Sequence, residues 1–305
     1  MINKAVLLLA HGTPESAEEI PEYLRNVTAG RAIPDSVIEE VKHRYIQIGR
    51  SPLTEITLRQ AELLSRRLHT RAYVGMRNWR PFIAETVADM RADGIERCVA
   101  LCMAPQNSRT SVGLYRKALA ESADGMQFDF IESWHDHPLL VQAFAERLEA
   151  AREHFGREVP VVFTAHSVPS RTITDGDPYE KQAKETAALV ARQAGLPESQ
   201  WRFAFQSQGM SGGPWIGPTV EETLNQLQDE SHKRVLIQPV GFVCDHVEVL
   251  YDIDIAFRKY GSQIGVEIAR PESLNQSATL ILALADLVQR RLTSESDVNT
   301  RAGTL

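Results

Sequence analysis

Two histidines occupy matching places in the two halves of this 305-residue sequence. His11 lies in Ala-His-Gly-Thr-Pro after the apolar run 5–10, and His166 lies in Ala-His-Ser-Val-Pro after the apolar run 161–165. A neutral imidazole can ligate a divalent metal or accept a proton near neutral pH. Ligands of open parallel sheets bind beyond the carboxyl ends of the strands. The repeat therefore predicts two similar lobes that direct both histidines toward one cleft.

A group of acidic residues follows a later apolar run. The segment 239–252 passes from a strand into a predicted helix that holds Asp245, His246, Glu248 and Asp252. The helix dipole accounts for an acid in the first turn, such as Asp245. Glu248 and Asp252 are like charges four residues apart on one helix face, which disfavours an isolated helix. The pattern indicates either a solvated face or the lining of a path for a cation.

Short apolar runs alternate with amphipathic stretches along the whole chain, which is typical of βαβ units and a parallel sheet. The predicted strands are 5–10, 72–75, 98–103, 128–133, 161–165, 203–206, 235–240 and 266–269. The predicted helices are 36–47, 54–68, 81–93, 108–122, 137–154, 178–194, 218–229, 245–260 and 273–291. We expect an α/β fold of two Rossmann-like lobes, 1–150 and 151–305, each a four-stranded parallel sheet flanked by helices. The last helix is expected to pack back on the first lobe.

The composition argues against several classes of protein. A net charge of −7 disfavours a general nucleic-acid binder, which needs a broad basic surface. The first apolar run is far shorter than the ~20 residues that span a bilayer and lacks the features of a signal peptide, so we expect no transmembrane segment and a cytoplasmic location. Cys98, Cys102 and Cys244 form no CxxC pair and are too few for a four-thiolate site, so we expect free thiols and no iron–sulfur cluster.

Several longer motifs carry a resemblance to a known family. They are Ala-His-Ser-Val-Pro at 165–169, Gln-Ser-Gln-Gly at 206–209 with Pro-Trp-Ile-Gly-Pro at 214–218, and Pro-Val-Gly-Phe-Val at 239–243 followed by Asp-His-Val-Glu-Val-Leu-Tyr-Asp at 245–252. Gly-Thr-Pro at 12–14 and Ser-Pro-Leu at 51–53 match as well. In this order, from about residue 5 to residue 290, the sequence resembles the ferrochelatases. The resemblance implies a class II chelatase-like fold, a porphyrin cleft between the lobes, and Fe²⁺ as substrate with no permanently bound cofactor.

The resemblance also implies roles for individual residues. It makes His166 and Glu248 the catalytic and metal-binding pair, on opposite sides of the macrocycle's centre. Insertion of Fe²⁺ removes pyrrole protons and strips water from the metal, which requires a base and a ligand beside the ring. His11 stands where soluble members usually have tyrosine, and we expect it to act as an axial ligand to the product iron. His246 and Asp252 are secondary candidates.

Within the family, the sequence is most similar to the soluble coproporphyrin III ferrochelatases. The segment 34–51 is polar and basic and has no apolar, aromatic lip. Coproporphyrin carries more propionates than protoporphyrin, and arginine suits carboxylates because its fork donates two hydrogen bonds. Thr28 stands where the family has a propionate-binding arginine. Ala256 replaces a carboxylate that the family pattern leads us to expect, so we predict no second metal site. The substrate contacts that the resemblance implies are Arg31, Arg44, Tyr45, Ser51, Tyr115, Thr13, Ser207 and Trp215.

The sequence leaves alternatives open. One is a protoporphyrin IX ferrochelatase, and another is a sirohydrochlorin chelatase, which Leu-Leu-Ala-His-Gly at 8–12 also resembles. A non-catalytic porphyrin or haem carrier, in which His11 or His166 simply ligates iron, belongs to a different class. As partners we expect coproporphyrin III and Fe²⁺, no nucleic acid, and transient contacts with neighbouring haem-pathway enzymes. We expect the protein to be a monomer.

Overall fold

Two four-stranded parallel sheets form the framework of the protein. The computed structural model describes residues 3–123, 125–209 and 213–293. The first sheet has the strand order β2-β1-β3-β4 and contains β1 (Lys4–Ala10), β2 (Ala72–Met76), β3 (Arg97–Cys102) and β4 (Gln127–Ile131). The second has the order β6-β5-β7-β8 and contains β5 (Val161–His166), β6 (Trp201–Gln206), β7 (Arg234–Pro239) and β8 (Glu267–Ala269). The equivalent strand orders confirm the predicted pair of Rossmann-like lobes.

Helices connect the strands in both lobes. In the first half of the chain they are α1 (Ile20–Val27), α2 (Asp35–Ile48), α3 (Leu53–Leu68), α4 (Ile83–Ala92), α5 (Val112–Ser122) and α6 (Pro138–Phe155). In the second half they are α7 (Ser170–Thr174), α8 (Tyr179–Gln193), α9 (Val220–Asp229), α10 (Val247–Leu250), α11 (Arg258–Ile264) and α12 (Ala278–Thr293). Short 3₁₀ turns span Ala17–Glu19 and Glu198–Gln200, and a π-helix spans Asp252–Phe257.

The central strands are apolar throughout because both of their faces are covered. In β1, Val6 and Leu8 enter the larger core, whereas Leu7 and Leu9 enter a second core beneath α4 and α5. All four side chains are fully buried. A strand buried on both faces gives a continuous apolar run instead of an alternating one, which is why the sequence pattern located the strands.

The larger core is shared by both lobes. It includes Leu8 of β1 and Phe163 of β5, together with side chains of α6. Leu280 and Leu284 of α12 belong to the same core, and α12 packs against α3 and α6. The last helix of the described chain therefore lies on elements of the first half. Residues 294–305 of the predicted second lobe lie outside the described residues.

The continuous helix predicted over 245–260 differs from the structure. The short helix α10 begins at Val247 and is followed by the π-helix. There the amides of Ile255 and Ala256 both donate to the carbonyl of Tyr251, at 3.1 and 2.9 Å. An amide that bonds five residues back widens the helix, and such segments are frequent at functional sites.

The cysteines are buried free thiols, as predicted. Burial raises the pKa of the Cys244 thiol to about 12, so this side chain is a small neutral group in the wall of a cleft at the strand ends. Among the described residues, no helix combines the length and the apolar character that crossing a bilayer requires.

Candidate active site

A cleft of about 420 Å³ lies at the carboxyl ends of the strands of both sheets. The segments that follow β1 and β3 line it from the first lobe, and those that follow β5 and β7 line it from the second. His11, His166, His246 and Glu248 are all among the lining residues. The structure thus brings both histidines of the repeated motif, and part of the acidic segment, to one cavity.

Contacts to both the backbone and the ring of His166 hold this residue at the end of β5. The hydroxyl of Tyr179 donates to the carbonyl of His166 at 2.9 Å, and Nδ1 of the imidazole contacts the carbonyl of Ser167. Nε2 then faces the Glu248 carboxylate, with 3.4 Å between Nε2 and Oε1. The two side chains retain 30% and 33% exposure, so both are accessible from the cleft.

Attraction between these two groups controls their protonation. Burial by itself lowers the pKa of His166, but the Glu248 carboxylate outweighs burial and raises that pKa to about 9. Burial likewise favours the neutral form of Glu248, but the His166 imidazolium outweighs it and lowers the pKa of Glu248 to about 2. At neutral pH the pair is an imidazolium and a carboxylate. Because a metal needs a neutral imidazole, binding of a metal at His166 must release a proton.

The expectation that His166 and Glu248 stand on opposite sides of a macrocycle is wrong for this structure. A flat ring between two groups needs about 7 Å of separation, since each face requires roughly 3.5 Å of van der Waals contact. The observed separation of 3.4 Å is that of direct partners. Both side chains come from the second lobe, and no flat ring fits between them in this structure.

Glu248 is positioned through its backbone. The side-chain amide of Gln206 donates to the carbonyl of Glu248 at 2.8 Å, and Gln206 in turn accepts from the Thr164 hydroxyl at 2.6 Å. His246 is the N-cap of α10, where its Nδ1 accepts from the amide of Glu248 at 3.2 Å. Burial lowers the pKa of His246, which keeps this capping nitrogen unprotonated. His246 thus supports Glu248 as a structural partner.

Asp252 extends the acidic side of the site away from the cleft. Its carboxylate accepts a hydrogen bond from the Ser207 hydroxyl and lies 3.6 Å from the Arg44 guanidinium. Burial raises the pKa of Asp252 to about 6. Arg44 also pairs with Glu40 and stacks on Tyr251, 5.3 Å from the ring centroid.

His11 is the histidine that the first lobe contributes to the cleft. The side-chain amide of Asn78 lies 3.1 Å from its Nδ1 and 3.0 Å from its Nε2, and Tyr23 packs edge-on against the imidazole. Burial lowers the pKa of His11 to about 4, and the positive charge of Arg77 acts in the same direction. His11 is therefore a neutral imidazole at physiological pH, which is the form that ligates metals.

The predicted substrate contacts divide into two groups. Thr13, Tyr45, Ser51, Tyr115 and Trp215 line the cleft, whereas Arg31, Arg44 and Ser207 do not. Arg31 is exposed and donates from Nε to the carbonyl of Thr28, and the Thr28 hydroxyl is bonded to backbone carbonyls. Arg44 and Ser207 are engaged with Asp252 instead.

Two functional candidates were missed from the sequence. Gln206 is the first residue of the Gln-Ser-Gln-Gly motif, and its place in that motif could have indicated a role in the site. Arg77 follows β2 and lines the cleft beside Tyr115. The signal for Arg77 was its place directly after a strand, at the sheet edge where polar residues meet a ligand.

The fold and the site together define a chelatase of class II type. Two Rossmann-like lobes place a paired histidine and glutamate at one set of strand ends and a neutral histidine at the other. The fold is similar to that of the sirohydrochlorin chelatase SirB from Bacillus subtilis subspecies spizizenii, solved in complex with cobalt. The TM-score is 0.56 at 10% identity, covering 94% of this chain and 94% of that chain.

Sequence comparisons identify the family. The ferrochelatase family model matches residues 3–292. A ferrochelatase from Acidobacterium capsulatum is 57% identical, covering 94% of each chain. A coproporphyrin III ferrochelatase from Geobacillus thermodenitrificans is 37% identical, covering 96% of this chain and 97% of its own. The chain therefore belongs to the ferrochelatases, enzymes that insert a metal into a porphyrin.

Proposed function

We propose that the enzyme inserts Fe²⁺ into coproporphyrin III and releases iron coproporphyrin III, or coproheme. The observation that carries this proposal is the hydroxyl of Ser51. It lines the cleft, is buried, and has no hydrogen-bond partner among the described residues. A buried hydroxyl without a partner costs about 1–3 kcal/mol, and a propionate carboxylate of the substrate supplies the missing partner.

Further hydroxyl donors line the cleft at separate places. Tyr45 and Thr13 share a hydrogen bond of 2.8 Å, and Tyr115 lies on α5 after β3. Burial raises the pKa of Tyr45 to about 12 and that of Tyr115 still further, so both phenols remain protonated and can donate. A porphyrin with four carboxylates uses more of these donors than one with two.

The macrocycle is proposed to lie between His11 of the first lobe and the His166–Glu248 pair of the second. Fe²⁺ binds at the pair and displaces the proton of the His166 imidazolium. As iron passes to the four pyrrole nitrogens, His166 loses the metal and keeps one of the two pyrrole protons, while the other passes by way of the Glu248 carboxylate to water. His11, which is neutral at physiological pH, ligates the iron of the product from the other face.

Family membership removes two of the alternatives. A non-catalytic carrier is not retained because the family consists of enzymes, and the family model that matches is that of ferrochelatases, not of sirohydrochlorin chelatases. Protoporphyrin IX remains the alternative substrate. The monomeric state, the cytoplasmic location, the contacts with haem-pathway enzymes and the lack of a resident cofactor stay predictions.

Anaerobic turnover with Fe²⁺ on coproporphyrin III and on protoporphyrin IX tests the substrate. We expect kcat/KM to be at least tenfold higher for coproporphyrin III, and equal or reversed values overturn the proposal. Ser51→Ala should lower kcat/KM for coproporphyrin III by roughly 10- to 100-fold, the effect of one hydrogen bond to a charged group. Ser262→Ala is the matched control, since Ser262 bonds only a helix carbonyl outside the cleft, and it should leave kcat/KM unchanged.

A further inference from the structure

Arg77 is the one lysine or arginine among the described residues that line the cleft. It follows the last residue of β2, and its backbone amide donates to the carbonyl of Ala10 at 3.0 Å. The guanidinium lies over the ring of Tyr115, 5.6 Å from the centroid. Its Nε is buried and has no hydrogen-bond partner in the described part of the chain.

The charge of Arg77 is not balanced by a carboxylate. Within the described ranges, no Asp or Glu lies at ion-pair distance from its guanidinium, in contrast to Arg44, which is paired with both Glu40 and Asp252. Glu248 is the one acidic side chain that lines the cleft in these ranges, and it is engaged with His166. With that ion pair neutral overall, Arg77 gives the cleft wall a net positive charge.

A guanidinium held in a partly buried wall has a strong requirement for an anion. Removing a charge from water is costly unless a counter-charge or hydrogen-bond acceptors replace the water. Tyr115 supplies a ring face and a hydroxyl, but neither is an anion. A carboxylate fits this position because it accepts two hydrogen bonds from a guanidinium fork.

We propose that Arg77 binds one propionate carboxylate of the porphyrin and is a specificity-determining residue for the orientation of the macrocycle. This inference rests on the proposed function only in that the ligand is a carboxylate-bearing porphyrin. Arg77 and His11 lie at the ends of the neighbouring strands β2 and β1, so the bound propionate fixes the edge of the ring that lies nearest to His11.

Binding of metal-free porphyrin tests the role without turnover. Fluorescence titration, in a non-ionic detergent, compares coproporphyrin III with its tetramethyl ester, which has the same ring but no carboxylate. Arg77→Met keeps the apolar stem and removes the charge, and we expect it to weaken binding of the free acid roughly 10- to 100-fold while leaving binding of the ester unchanged. Arg77→Lys, which keeps the charge but not the fork, should lose less.

Arg80→Met is the matched control for this substitution. Arg80 lies three residues further on, is exposed, and pairs with Glu85 at 3.1 Å outside the cleft. This variant should bind both porphyrins as the wild type does. Wild-type affinity of Arg77→Met for the free acid, or an equal loss for the acid and the ester, overturns the proposal, because the second result assigns Arg77 to packing against Tyr115. If Arg77→Met does not fold, Arg77→Gln and Arg77→Lys supply the same contrast.

The same titration with protoporphyrin IX and its dimethyl ester separates this inference from the substrate proposal. A higher kcat/KM for protoporphyrin IX would remove coproporphyrin III as the substrate. The contrast between acid and ester would still decide the role of Arg77, because both porphyrins carry propionates.

Discussion

Replacement of Glu248 by glutamine should lower the pKa of His166 from about 9 toward its ordinary value of 6.5. The substitution keeps the size of the side chain and removes the charge that opposes burial. A fall from about 9 to 6.5 corresponds to about 3 kcal/mol of differential interaction. This is an upper limit, because the imidazole retains 30% exposure and water screens part of the attraction.

The assay is an NMR titration of labelled histidine in the metal-free enzyme, with His166→Gln used to assign the resonance. Asp252→Asn is the matched control, since Asp252 also raises the pKa of His166 but contributes less than Glu248. The midpoint should fall strongly in Glu248→Gln and slightly in Asp252→Asn. An unchanged midpoint in Glu248→Gln, or equal falls of the midpoint in both variants, would show that the ion pair with Glu248 does not set the pKa of His166.

The same pair makes stability depend on pH in a defined direction. The raised pKa of His166 contributes fully below its unfolded value of 6.5, and the contribution is lost as pH rises through about 9. The lowered pKa of Glu248 contributes above its unfolded value of 4.5, and the contribution is lost as pH falls through about 2. Both shifts describe one interaction and are not added. Urea denaturation should therefore show a larger difference between wild type and Glu248→Gln at pH 6 than at pH 10.

Two further substitutions test the supports of the site. Gln206→Leu removes the hydrogen bond to the carbonyl of Glu248, so kcat should fall by roughly tenfold with little change in porphyrin affinity, and an equal loss of both would refute a positioning role. Gly12→Ala should lower the free energy of unfolding by about 2–3 kcal/mol, because Gly12 has φ +83° and an added Cβ would lie 2.8 Å from the amide nitrogen of Trp79. Gly30→Ala, with φ +80° but open space around it, should cost only about 1 kcal/mol in the same urea assay. Similar losses for the two glycine variants would contradict the steric explanation.

The framework could be predicted because its signals are local. Strand β1 is a continuous apolar run because both of its faces are buried. Its predicted and observed bounds differ by one residue at the amino-terminal end. Helix α1 was not predicted, since only Ile20, Tyr23 and Leu24 of its eight residues are buried and the apolar pattern is short. The π-helix was not predicted because its widened turn depends on contacts that periodicity does not encode.

The site was harder to predict than the fold. The motifs located His166 and Glu248, but their separation along the chain says nothing about the direction in which each side chain points. The placement on opposite sides of the ring was wrong for that reason. Arg77 was missed because the prediction of carboxylate-binding arginines rested on the basic segment 34–51 and on the family resemblance, whereas one partly buried guanidinium in a cleft wall needs an anion more than several exposed ones do.

The position of α12 affects the order in which the parts of the protein can fold during synthesis. Its side chains Leu280, Leu284 and Val288 are fully buried, and the helix packs against α3 and α6, which are synthesised much earlier. Until residues 278–293 leave the ribosome, the apolar surface that α3 and α6 present to α12 therefore remains exposed to solvent. Synthesis of α12 allows this apolar surface to be covered, which lowers the tendency of the nascent chain to aggregate.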